Sequence, residues 1–208
     1  MALAPRDHPV DPRRTALLLI DVQNGIFNDG EHAKRPYFYE SARDTVIPNL
    51  QRLIAAARPA GAEVVYTVIE SLTQDGRDRS LDYKLTGFHF PKGSFEAQVL
   101  WAVAPGDDDI VLPKTSSGVF NSTNIDYVLR NLGIEHLVVT GFLTDQCVDH
   151  TVRDGADRGY RVIVPTDACT TNTPERHESA LAAFKGYCRL TTTAGLVDEL
   201  AAASARAG

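Results

Sequence analysis

The sequence predicts an α/β fold: a doubly wound, mainly parallel six-stranded sheet with helices on both faces. Three observations predict it. Short apolar runs alternate with longer amphipathic ones, the rhythm of repeated βαβ units. The first run, Thr15-Ala-Leu-Leu-Leu-Ile20, is continuous hydrophobe, as a strand covered on both faces requires. Two of the amphipathic stretches stop at a glycine, Gly133 and Gly159, where a helix C-cap needs one.

The elements follow in order. After the strand at 15–20, residues 43–58 read as a helix with Leu50, Leu53, Ile54 and Ala57 on one face. Pro48 is tolerated only in a first turn, which moves the start of that helix toward Ile47. The runs at 62–69, 109–112, 135–140, 161–164 and 188–191 supply five more strands. Helices are expected at 122–132, 145–158, 175–185 and 194–203. The stretch 70–95 is too long for an ordinary connection and reads as a lid or a subunit contact. No internal repeat or low-complexity segment interrupts the pattern. The chain, 1–208, therefore reads as one domain, with 1–13 as an N-terminal arm.

Composition narrows the partners. A formal charge of −6 without a Lys/Arg-rich run argues against nucleic acid and membrane surfaces as partners. No apolar stretch reaches membrane-spanning length, and Met1–Pro9 lacks the apolar core of a signal peptide. Three cysteines, Cys147, Cys169 and Cys188, show no Cys-x-x-Cys pairing and suit a reducing cytoplasm. A cytoplasmic protein is expected.

Three polar residues stand at the carboxyl ends of apolar strands: Asp21, Lys114 and Cys147. A parallel sheet collects such ends along one rim, where ligands bind. There a carboxylate can take a thiol proton and return it to a leaving amine. A nearby ammonium and the head of a helix both favour thiolate, so Cys147 is expected to have a lowered pKa. Taken singly, each residue has a plainer reading as a turn former, a surface lysine or a core thiol; the combination carries the chemistry.

The segments Leu18-Leu-Ile-Asp21-Val-Gln-Asn24, Leu112-Pro-Lys114-Thr-Ser-Ser-Gly-Val-Phe120 and Thr140-Gly-Phe-Leu-Thr-Asp-Gln-Cys147-Val resemble the signature segments of the isochorismatase-like cysteine hydrolases. The resemblance spans roughly residues 15 to 200. It implies a catalytic triad of Asp21, Lys114 and Cys147 and a cis peptide at Phe142–Leu143. It also implies an oxyanion hole from the backbone N–H groups of Leu143 and Cys147. The implied reaction is cysteine-dependent hydrolysis of a C–N bond in a small amide or ureide, through an acyl-thioester. Homodimers or homotetramers are implied as well.

The nicotinamidases of that superfamily carry an Asp/His cluster after the second strand. The corresponding stretch here, Ile69 to Ser80, holds no histidine, so no metal and no cofactor are expected. Metal-dependent nicotinamidase and vinyl-ether hydrolysis of the isochorismatase type remain the alternatives within the family. A thiol redox sensor or a non-catalytic binding protein would be alternatives of another class.

Expected substrate contacts are Gln23, Phe27, Ser116, Phe120, Arg77 and Arg79, the two arginines offering a clamp for a carboxylate. Asn24, Tyr37 and Ser117 are weaker candidates. Each has a plain reading too, as a turn closer, a core aromatic or a solvated loop residue. His150, three residues beyond Cys147, is expected to be structural or solvent-facing. Cys169, Cys188, His136 and His177 belong to no evident constellation.

Overall fold

The computed structural model describes residues 6–207. The first five residues of the expected arm lie outside that range.

Strand β1 (Thr15–Ile20) is buried at every position. Leu17 and Leu19 enter one core, while Ala16, Leu18 and Ile20 enter the other. That two-sided burial is why the run shows no polar alternation. Two short helices follow, α1 (Gly30–Lys34) and α2 (Pro36–Ser41), in a stretch where sequence periodicity gave no helix. A π-helical turn at Ala42–Val46 leads into α3 (Ile47–Ala60), with Pro48 in its first turn as its missing N–H requires. Strand β2 (Glu63–Ile69) lies beside β1.

The long loop contains one short helix, α4 (Leu81–Leu85), capped by the Ser80 side chain on the Tyr83 N–H. Strand β3 (Ile110–Lys114) runs two residues past the expected end at Leu112. It lies at the sheet edge, where Pro113 leaves no ladder bond unmade. Helices α5 (Val119–Ser122) and α6 (Ile125–Asn131) replace the single helix expected there. Strand β4 (His136–Phe142) is fully buried. A π-helical turn at Thr144–Val148 precedes α7 (Asp149–Asp157). Strand β5 (Arg161–Pro165), the two-residue β6 (Cys169–Thr170), α8 (Pro174–Phe184), β7 (Cys188–Thr191) and α9 (Thr193–Ala207) complete the described chain. Gly133 and Gly159 cap α6 and α7 with φ of 70° and 89°, as their positions predicted.

The strands are ordered β3-β2-β1-β4-β5-β7, all pairs parallel. Six strands match the expected sheet. The seventh, β6, pairs with Gly141 and Phe142 of β4 beyond the point where β5 stops. Its two residues are too few to show a period in sequence. One core packs α3 and α9 against the sheet, and the other packs α6, α7 and α8.

One backbone position decides how closely β1 and β4 approach at the carboxyl rim. Gly141 has φ of 103°, and a Cβ there would stand 2.2 Å from the Ile20 carbonyl oxygen. Only glycine meets both demands. The adjoining residue on β1, Asp21, itself holds φ of 56°, a conformation that aspartate tolerates better than most side chains.

Candidate active site

Asp21 leaves the end of β1, Lys114 ends β3, and Cys147 lies in the π-helical turn after β4. Parallel strands bring these three distant residues to one point. The Lys114 Nζ stands 2.9 Å from Asp21 Oδ2 and donates to Cys147 Sγ at 3.4 Å. It also donates to the Ser116 carbonyl at 2.9 Å. Thr67 Oγ1 donates to Asp21 Oδ1 at 3.2 Å. Asp21 Oδ2 faces the ammonium as an ion pair but accepts no aligned hydrogen bond within the described chain. The Phe142–Leu143 peptide is cis. In the turn that follows, the N–H groups of Gln146 and Val148 both donate to the Leu143 carbonyl.

All three groups are buried: Asp21 is 1%, Lys114 0% and Cys147 5% exposed. Burial pushes the Asp21 carboxyl above its ordinary range, against the pull of Lys114. Burial alone would depress Lys114, but the Asp21 charge beside it outweighs burial and holds the ammonium protonated. Burial also pushes the Cys147 thiol up to about 12, with Lys114 acting in the opposite direction. This corrects the expectation of a lowered thiol pKa. Cys147 sits in a one-turn π segment, not at the open N-terminus of an α-helix, and desolvation outweighs the single cation beside it. At neutral pH Cys147 is therefore a thiol and Lys114 an ammonium.

That assignment predicts a pH profile. Below a raised pKa the thiolate fraction falls tenfold per pH unit, so Cys147 alkylation by iodoacetamide should keep accelerating from pH 7 to 10. A rate that is already level from pH 6 upward would mean a preformed thiolate. Cys169 and Cys188 are buried, and burial pushes both thiols up as well, so peptide mapping should find them unlabelled in the native protein.

Asp21 and Cys147 line a cleft of about 760 Å³, ordinary for a small-molecule site, and Lys114 lies buried behind them. Its walls come from Ile26, Glu31 and Arg35 on one side and from Tyr83, Thr86 and Phe88 of the long loop on the other. Leu143, Gln146 and His150 follow Cys147 along the rim. A family profile described as the isochorismatase domain matches residues 15–195. The chain belongs to the isochorismatase family. It is 33% identical over 196 residues to the ureidoacrylate amidohydrolase RutB of Pantoea ananatis, an alignment covering 86% of this chain and 78% of that protein. Among solved structures, a cysteine hydrolase from Pseudomonas syringae pv. phaseolicola superposes with a TM-score of 0.84 at 26% identity, covering 98% of this chain and 100% of the other. The N-carbamoylsarcosine amidase of Thermoplasma acidophilum gives 0.68 at 26% identity, over 86% and 96% of the two chains.

In this isochorismatase-family hydrolase, most of the substrate contacts expected from sequence lie elsewhere. Gln23 is fully buried; its amide donates to the Ile69 and Glu96 carbonyls, and its oxygen accepts the Ile69 N–H at 2.6 Å. It is a strut joining β2 to the loop at 96. Phe27 stacks on Tyr39 at 5.1 Å and packs against the core. Phe120 lies in the other core, stacked on Tyr160 at 6.0 Å. Ser116 gives Lys114 its backbone carbonyl, and Ser117 lines the cleft in its place. Arg77 pairs with Asp75 in solvent, and Arg79 braces the loop through the Gly76 and Phe88 carbonyls. Asn24 donates to the Phe95 carbonyl, and Tyr37 stays outside the cleft.

The cation that does line the cleft is Arg35. Its Nε is held by Glu31 at 2.6 Å, and the Ile26 carbonyl and Asn172 fix its other nitrogens. It stands in the short-helix region where the sequence offered no period, so only tertiary folding shows it. His150, expected to be structural or solvent-facing, lines the rim with Nδ1 3.0 Å from the Gln146 carbonyl. Among the described residues, no group of three or more His, Cys, Asp or Glu is arranged to hold a metal ion, and no helix is long and apolar enough to cross a membrane.

Proposed function

We propose that this chain is a cysteine-dependent amidohydrolase that cleaves the C–N bond of a small amide or ureide through an acyl-thioester. The observation that carries the proposal is the buried ammonium of Lys114 seated between the Asp21 carboxylate and the Cys147 sulfur, both of which line the cleft. The names of two relatives, an amidohydrolase and an amidase, point to the same bond class.

The steps follow from the charges. As Sγ of Cys147 attacks the substrate carbonyl, its proton passes to Asp21, whose raised pKa suits it to receive one. The carbonyl oxygen becomes an oxyanion held by the backbone N–H groups of Leu143 and Cys147. Asp21 then hands its proton to the departing nitrogen, and ammonia or an amine leaves behind an acyl-thioester. Asp21 next takes a proton from water as that water attacks the thioester. The sulfur departs, is reprotonated by Asp21, and the acid is released. Lys114 remains an ammonium and keeps Asp21 ionised between transfers.

Arg35 takes the role expected of Arg77 and Arg79. A buried-stem guanidinium fixed on three sides offers its remaining N–H groups to a substrate carboxylate. A coupled ammonia-release screen tests both halves of the reading. Ureidoacrylate and N-carbamoyl amino acids should be hydrolysed faster than nicotinamide or biuret, which lack a carboxylate, and EDTA should leave the rate unchanged. Turnover of nicotinamide alone, lost in EDTA and restored by zinc, would support a metal-dependent nicotinamidase.

A further inference from the structure

A second concave site lies at the opposite end of the sheet. His136 opens β4, Arg161 opens β5 and Arg189 lies in β7, so they gather at the amino edge of the strands. The seven residues of β4 place this edge about 20 Å from the cleft. Together with Arg6, His8 and Tyr187 they line a cavity of about 530 Å³.

Three features set it apart. The chain carries a net charge of −6, yet three arginines and two histidines converge here, and no described lining residue is acidic. The nearby carboxylates are engaged: Glu199 accepts from Arg189 and from the Val10 N–H, Glu135 pairs with Arg14, and Asp11 accepts from the Arg13 N–H. Above all, polar atoms here are buried without partners. His136 is 2% exposed and neither ring nitrogen has a hydrogen bond; Arg189 Nε has none either. Buried donors and acceptors left unmatched cost free energy, so such a cluster on a cavity wall marks a place where a ligand completes the bonding. Burial and the neighbouring Arg161 charge hold His136 in its neutral form, which offers one donor and one acceptor.

We propose that this cavity binds the phosphate group of a small phosphorylated molecule. A phosphate monoester carries nearly two charges at neutral pH and three strong acceptor oxygens. Arg161 and Arg6, neither of them ion-paired to a described carboxylate, match that charge, while Arg189 Nε supplies a directed donor. The cavity is larger than a bare phosphate needs, and the exposed rings of His8 and Tyr187 give its organic body a surface.

Titration calorimetry on the full chain at fixed ionic strength tests this, with ribose 5-phosphate as probe, ribose as the neutral control and citrate as the carboxylate control. The expected result is saturable 1:1 binding of ribose 5-phosphate and none of ribose. Arg161→Ala should weaken it at least about tenfold, and Arg161→Glu should abolish it. His136→Phe, which keeps the ring but removes both nitrogens, should weaken binding with unchanged circular dichroism. Ammonia release by Arg161→Ala without ligand should match wild type. The proposal is overturned if ribose 5-phosphate gives no saturable heat, if Arg161→Glu binds it as wild type does, or if citrate binds more tightly. It is equally overturned if Arg161→Glu alters only the sedimentation of the chain, since the face would then be a contact between copies.

Discussion

Cys147→Ala should lower amide hydrolysis by on the order of 10⁴-fold or more, the scale seen when a covalent nucleophile is removed. The change deletes one sulfur from a buried turn, and the backbone of Thr144–Val148 does not depend on it. Folding should therefore persist, with a melting temperature within a few degrees of wild type. The variant should still bind substrate, because the cleft walls, Arg35 and the Asp21–Lys114 pair remain. Calorimetric binding without turnover is the diagnostic pair of results. Substantial ammonia release by this variant would place the nucleophile elsewhere, and neither Cys169 nor Cys188 lines the cleft.

The second large effect is on stability. Lys114 is completely buried and engages Asp21, Cys147 and the Ser116 carbonyl at once. Lys114→Met keeps the stem but strands the Asp21 carboxylate in a low-dielectric site. Breaking a buried pair from one side costs about 3–5 kcal/mol, and that is the expected loss in a denaturant melt at pH 7. The sign of its pH dependence follows from desolvation left unopposed. The folded-state pKa of Asp21 would rise further above its unfolded value, so protonation below that unfolded value relieves the penalty. The deficit should thus be small in acid and grow as pH rises through the folded pKa. Lys114→Met combined with Asp21→Asn should recover part of the loss, because no charge is then stranded. A deficit independent of pH would point to lost packing in place of a stranded charge.

The sheet was legible because burial on both faces writes itself as uninterrupted apolar sequence. Leu17 and Leu19 serve one core and Leu18 and Ile20 the other, so Thr15–Ile20 could be read only as a central strand. The meeting of Asp21, Lys114 and Cys147 was legible for a related reason: strand ends in a parallel sheet share a rim whatever their separation in sequence. Electrostatics was less legible. The sequence shows a cysteine next to a helix, whereas the thiol responds to how deeply it is buried, which depends on the whole fold. Substrate contacts were least legible. Gln23 and Arg79 are polar residues in the right neighbourhood, yet both satisfy backbone carbonyls and have no group to offer a ligand. Arg35 stands between α1 and α2, and helices of five and six residues carry too few turns to show a period.

The charge arrangement also bears on how the reaction is timed. In the proposed mechanism, a Cys147 that rests as a thiol becomes the nucleophile as its proton moves to Asp21, in the same event as attack. On that mechanism no thiolate persists between turnovers, so the sulfur should be slow to oxidise.

The most direct test of the account is rapid-quench peptide mass spectrometry during turnover of a hydrolysed ureide. The account predicts a transient mass increase equal to the substrate acyl group on the peptide containing Cys147, forming with the first equivalent of ammonia and absent in Cys147→Ala. First-turnover ammonia release with no adduct on that peptide, at quench times that resolve the burst, would contradict it.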